Sequence, residues 1–164
     1  MKRYKAPWGK PLVVGSVLST IVLLGSTIGL IACEHGILRW LALIPAFILV
    51  SSLLLTVRGY AVAHQELQVQ RLFWKTRISL LGLKSASFEP DAMRGSIRTF
   101  GNGCVFSISG FYSNRLLGPY RAFVTDPHLT VVLGYAARTV VVSPSSAEEF
   151  VQELRPHSPS AAVS

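Results

Sequence analysis

Histidines, cysteines and carboxylates are the side chains most often recruited for chemistry, and in this chain they are scattered. His35, His64, His128 and His157 share no metal-ligand spacing with Cys33 or Cys104. Glu89 and Asp91 flank Pro90, the composition of a solvated turn. The glycines around Gly101 match neither a phosphate-cradling G-x-x-x-x-G-K-[ST] loop nor a G-x-G-x-x-G helix opening. No G-x-S-x-G nucleophile elbow is present. No catalytic residue, metal ligand or cofactor is therefore assigned, and an enzyme or transporter has no positive feature in its favour. The side chains left to do chemistry are cations. Lys75 and Arg77 fall at the tip of an expected β-hairpin, Arg115 and Arg121 flank the Leu117-Gly118-Pro119 turn, and Arg58 borders a long apolar run. Such groups grip phosphate or carboxylate through charge-assisted hydrogen bonds. The blander reading is a basic edge resting near anionic headgroups, where each charge contributes about 1 kcal/mol.

The elements that must position these cations begin with two apolar segments. Pro11 to Cys33 carries no charged residue, and Trp40 to Val57 lies uncharged between Arg39 and Arg58. A span needs about 20 apolar residues to cross about 30 Å of hydrocarbon, with its backbone bonded internally. Residues 11–57 are thus expected to form a membrane hairpin of two transmembrane helices, turning at Glu34-His35-Gly36, with Pro45 kinking the second helix. Gly15, Ser19, Gly25, Ser26 and Gly29 on the first helix, with Ala42 and Ala46 on the second, would let the backbones approach closely. They are expected to pack the hairpin on itself, ahead of homodimer formation. Trp8, Trp40 and Tyr60 sit where rings settle at headgroup level.

The net charge of +8 is split between two places. Residues 1–10 hold Lys2, Arg3, Lys5 and Lys10, and from Arg58 onward there are 11 basic and 7 acidic residues. Basic flanks around a near-neutral turn predict a multi-pass protein of the cell membrane with both termini cytoplasmic. No dense basic stripe or motif suggests nucleic acid. Leu30-Ile31-Ala32-Cys33 resembles a lipoprotein box, which would make Cys33 a lipidation site, but the apolar run is long for a signal and a second run follows at once.

After Arg58 the hydrophobic period changes to two, and short runs recur between turn signals: Tyr60–Ala63, Glu66–Leu72, Arg77–Leu80, Ser85–Glu89, Ser96–Phe100, Phe106–Phe111, Tyr120–Thr125, Leu129–Leu133 and Thr139–Val142. Gly101-Asn102-Gly103 reads as a turn. Then Ser145 and Glu148 stand at capping-box spacing ahead of Ala147, Phe150, Val151 and Leu154 at helical spacing. The expectation is a mainly-β small barrel over residues 58–155 closed by one C-terminal capping helix, followed by a loose polar tail over 156–164.

The segment Arg98-Thr99-Phe100-Gly101-Asn102-Gly103, Gly110-Phe111-Tyr112, and Leu117-Gly118-Pro119-Tyr120-Arg121-Ala122-Phe123-Val124-Thr125-Asp126 resembles the bacterial PH domain family, as does the ending Val140-Val141-Val142-Ser143-Pro144, Glu149-Phe150 and Leu154. Asn102-Gly103-Cys104 departs from the fuller glycine run usual in that pattern. The resemblance covers about Tyr60 to Leu154 and implies a pleckstrin-homology-like fold, often carried behind a pair of transmembrane helices. It also implies that Lys75 and Arg77 are the nearest analogues of the phosphoinositide-binding cations of eukaryotic PH domains. The expected function is a membrane-anchored, non-catalytic interaction module whose partners are membrane lipids and either another protein or itself. The alternative is a lipid-headgroup sensor using Arg58, Lys75, Arg77, Arg115 and Arg121.

Overall fold

The structure is a computed structural model that describes residues 2–32, 36–63 and 65–155. Cys33, the Glu34–His35 turn and the tail over 156–164 lie outside the described residues.

The chain opens with strand β1 (Lys2–Lys5) and runs into helix α1 (Lys10–Ala32). Two shorter helices follow, α2 (Gly36–Leu41) and α3 (Leu43–Leu54). Helix α1 is the one helix among the described residues long and apolar enough to cross a membrane, by length and composition. The second expected span is broken. Pro45 has no N–H to give the Leu41 carbonyl, and its ring crowds that turn, so α2 ends where α3 begins. Twelve residues of α3 reach only about 18 Å. Helix α1 packs against both pieces.

The small residues divide unevenly in that packing. Ser16, Ala42 and Ser52 are buried, and Gly15, Ser19 and Ala46 are half-buried. Gly25, Ser26 and Gly29 instead lie exposed, with open space where a side chain on Gly25 or Gly29 would sit. The buried residues of α1, Leu12 and Ser16, both lie in its first turns.

Among the described residues ten strands form two sheets. The smaller is ordered β1-β2-β3-β4, with β2 Gly59–Ala63, β3 Glu66–Gln70 and β4 Lys75–Ser79. The larger is ordered β5-β9-β10-β8-β7-β6, with β5 Leu83–Phe88, β6 Ile97–Val105, β7 Ser107–Asn114, β8 Gly118–Val124, β9 Val131–Tyr135 and β10 Thr139–Val142. Among the described residues only the β8–β10 pair is parallel. The sheets do not join into a closed barrel. They share one apolar core, in which Tyr60, Leu67, Val69 and Ile78 of the smaller sheet meet Phe123, Leu133 and Val142 of the larger. Helix α4 (Ala147–Leu154) closes one end of this sandwich with Ala147, Phe150 and Leu154, the apolar stripe read from its spacing. Its expected cap is not formed: Ser146 is the N-cap without a side-chain bond, and the Ser145 N–H goes to the Lys5 carbonyl.

Three local departures from the sequence reading have clear causes. Part of the basic N-terminal segment is a strand, for which the sequence offered no signal: Lys2–Lys5 pairs with β2 and Tyr4 sets its ring edge-on to Phe150 at 5.1 Å. Gly101-Asn102-Gly103 lies inside β6 rather than at a turn. Gly101 faces Gly110 across the β6–β7 pair, both at positive φ, and a Cβ on either would strike the opposing backbone. The reversal comes at Phe106, which holds φ 59. Tyr60 is fully buried rather than interfacial. Its hydroxyl donates to the Phe123 carbonyl at 2.6 Å and accepts the Ser143 N–H at 3.2 Å, while Ser143 Oγ takes the Thr125 N–H at 2.8 Å. Burial pushes the Tyr60 phenol up to about 12.

Helices and sandwich are tied at several points. Arg71, at the end of β3, donates through Nη1 to the Leu55 carbonyl at 2.5 Å, placing a cation on the last carbonyls of α3. Ser107 Oγ donates to the same carbonyl at 3.2 Å, and the Phe106 N–H donates to Ser16 Oγ on α1 at 2.9 Å.

Candidate functional site

The larger sheet is two strands wider than the smaller, so part of its inner face has no cover. The registers place Phe100 opposite Phe111, Phe111 opposite Arg121, Arg121 opposite Val140, and Val140 opposite Leu133. This is one row of side chains across five strands. Val140 and Leu133 are buried beneath the smaller sheet and α4. Phe111 is 50% exposed and Phe100 75% exposed. They form the floor of an open groove of about 560 Å³ that runs from the edge of β4 across to the β9–β10 turn.

Three guanidinium groups line this groove. Arg121 lies over the Phe111 ring at 5.5 Å and over the Phe123 ring at 4.9 Å. Arg138, from the β9–β10 turn, lies over the Tyr135 ring at 4.8 Å. Arg77 comes from the rim strand β4, with Glu66 at 4.0 Å, a pairing between exposed groups that contributes little. Among the described residues neither Arg121 nor Arg138 makes an ion pair, and no carboxylate lines the groove. Arg71, which does not line the groove, has its guanidinium 5.4 Å from the Phe123 ring. Burial, and then the charge of Arg121, lower its pKa. The two cations therefore both raise the positive potential around Phe123, and stacking on rings orients them without neutralising them.

The five cations singled out in the sequence part company here. Arg77 and Arg121 enter the groove together. Lys75 lines a separate, shallower cavity by the β3–β4 loop with Phe73 and Trp74. Arg58 lines a cavity at the foot of the helices with Trp8, Leu53, Leu72 and Phe106. Arg115 is exposed on the β7–β8 turn and lines none of these cavities. Arg138 and the Phe100–Phe111 floor were not singled out. Phe111 shares its strand face with Ser107 and Ser109, and Phe100 with Ser96 and Arg98, so alternation alone does not mark either ring as inward, nor can it reveal that the opposite sheet stops short. No group of three or more His, Cys, Asp or Glu side chains among the described residues is arranged to hold a metal.

Two sheets around one core, closed at one end by a single C-terminal helix, is the pleckstrin-homology layout expected from the sequence pattern. The family model for the bacterial PH domain matches residues 58–158, more than half of the chain. The protein belongs to the bacterial PH domain family. No curated protein and no solved structure matches the chain. The PH domain match begins at Arg58, so β1, which adds a fourth strand to the smaller sheet, comes from outside it. The groove lies wholly within the PH domain, between its β4 edge and its β6–β7–β8 face.

Proposed function

We propose that the protein is a non-catalytic interaction module, held in the membrane by α1 and the α2–α3 segment, that presents the groove of its PH domain to a protein partner at the cytoplasmic face. The observation that carries this reading is the groove itself: exposed aromatic rings beside Arg121 and Arg138, which pair with no carboxylate of the described residues. A rigid apolar floor with a few oriented polar groups is the usual build of a binding site, and arginine and aromatic side chains are the common anchors of interfaces. Anchoring is supported by the length and composition of α1 and by its almost wholly exposed surface. The cytoplasmic placement is supported by the basic residues that border the apolar segments.

A second reading, contact with lipid headgroups, is favoured by a different surface. Trp8, Phe73, Trp74, Lys75 and Arg58 sit around the helix feet, where aromatic rings and cations are at home at a membrane boundary. That contact would orient the domain without occupying the groove.

The test is site-specific photocrosslinking in cells from the full-length chain. A crosslinking residue at Phe100 is expected to give an adduct with another protein, and one at Arg115 is not. Adducts with lipid alone from Phe100 would sink the protein-partner reading and move the groove to the lipid one. Labelling of the C-terminal tail from outside intact cells would remove cytoplasmic partners altogether.

A further inference from the structure

We infer that the groove takes an extended acidic segment of a partner protein, added as a fifth strand to the free edge of β4. The inference rests on the interaction-module reading and deepens it by naming the ligand.

Strand β4 has one neighbour, β3, and is an edge of its sheet. An edge presents a row of N–H and C=O groups that a further strand can satisfy. A strand laid there would pass over the inner face of the larger sheet where the smaller sheet fails to reach, above Phe111 and Arg121. It would equalise the coverage of the two sheets. Five residues of β4 span about 16 Å, so a segment of about five residues makes the full ladder. Side chains of an added strand alternate, and those facing the floor are two residues apart. Apolar side chains suit Phe100 and Phe111. Carboxylates suit Arg121 and Arg138, whose planar forks take them in bidentate fashion.

Charge decides the occupant. Among the described residues the sheet edges are β1, β4, β5 and β6. Their sequences are KRYK, KTRIS, LKSASF and IRTFGNGCV, each with a cation and none with a carboxylate. Pairing β4 with an edge of a second copy would set like charges against each other, which destabilises opposed strands. An acyl chain fits the aromatic floor but offers nothing to the unpaired backbone of β4. An acidic, partly apolar strand satisfies floor, arginines and edge at once.

The test uses the full-length protein in nanodiscs of zwitterionic phosphatidylcholine and fluorescent peptides that carry Glu and Val in turn at every second position, so that both fall on one face of the strand, with Ser between them. The Glu–Val peptide is expected to bind, and its Lys–Val counterpart is not. Methylating alternate backbone amides of the Glu–Val peptide is expected to abolish binding, because the ladder cannot form. Arg121→Glu and Arg138→Glu are each expected to weaken binding about tenfold or more, with the melting temperature of each variant confirming that it folds. Arg138 stands on an exposed turn, so its variant holds the test open if Arg121→Glu misfolds. Equal binding of the methylated peptide, or no preference over the Lys–Val peptide, overturns the inference. Either result alongside a protein adduct from Phe100 in cells would discard strand addition and leave the interaction module standing. Lipid adducts alone would discard both.

Discussion

One row of side chains crosses the larger sheet, and its two halves have opposite fates. At the α4 end, Val140 and Leu133 are buried with Tyr60, Phe150 and Leu154 in the core. At the β6 end, Arg121, Phe111 and Phe100 continue the same row in the same sheet and stand open to solvent. Backbone geometry and side-chain direction are alike in both halves. The difference lies in the layer opposite. The four-stranded sheet and α4 cover one half and stop at β4. Burial is therefore set by how far the second layer extends, and the residue types follow it: aliphatic where covered, aromatic and arginine where not. The covered half holds the fold together, and the uncovered half is free to bind.

The sharpest way to break this comparison is to truncate one aromatic from each half. Phe150→Ala is expected to cost about 3–5 kcal/mol of unfolding free energy, since the ring is fully buried between Tyr4 and Tyr60. Phe100→Ala should leave stability within about 0.5 kcal/mol, read by denaturant midpoint, while weakening binding of the Glu–Val peptide to the groove. Similar losses in both would mean that the β6 end is covered in the folded protein and the contrast is false.

Next in size is Gly110→Ala, at the paired-glycine crossing of β6 and β7. A Cβ there meets the Phe100 carbonyl, so the hairpin carrying the groove floor must shift. A loss of about 1–3 kcal/mol is expected, together with weaker groove binding, and native binding in that variant would show the floor to be independent of the glycine pair.

Tyr60→Phe is expected to cost about 1–2 kcal/mol by orphaning the Phe123 carbonyl and the Ser143 N–H. It carries a pH signature. The folded phenol titrates near 12 and the unfolded one near 10, so the folded state binds its proton more tightly. The stabilisation is full below about pH 10 and is lost as pH rises towards 12, by about 1.4 kcal/mol per unit. The Phe variant should lack that share of the alkaline loss. Tyr4, Tyr120 and Tyr135 are shifted in the same direction and will leave a smaller residual slope. An unchanged slope in Tyr60→Phe would mean that Tyr60 is not shielded from water.

The smallest expected effect is Arg115→Ala. That side chain is exposed and lines none of the cavities described, so stability and groove binding should both stay within error, whereas Arg138→Ala should weaken binding alone. Loss of binding in Arg115→Ala would extend the site onto the β7–β8 turn.

Much of this architecture is local in origin and was legible in the chain. The period of two after Arg58, the stripe of Ala147, Phe150 and Leu154, and the length of α1 each follow from spacings within about 20 residues. Hydrophobic period reports which side of an element is apolar, and short-range sterics report where helices stop, as Pro45 shows. Other features needed the partners brought together. Lys2–Lys5 is a strand only because β2 is there to pair with it across the intervening helices α1, α2 and α3. Gly101 is a crossing point rather than a turn only because Gly110 lies opposite. Tyr60 is buried because Phe123 and Ser143, more than sixty residues away, satisfy its hydroxyl. The groove belongs to this second kind. Strand pairing puts Phe100, Phe111 and Arg121 in one row, whether a layer lies above them depends on strand number in another sheet, and Arg138 reaches them only through the parallel pairing of β10 with β8. Pattern along a chain sets direction, and coverage is a property of two surfaces that only the tertiary fold brings face to face.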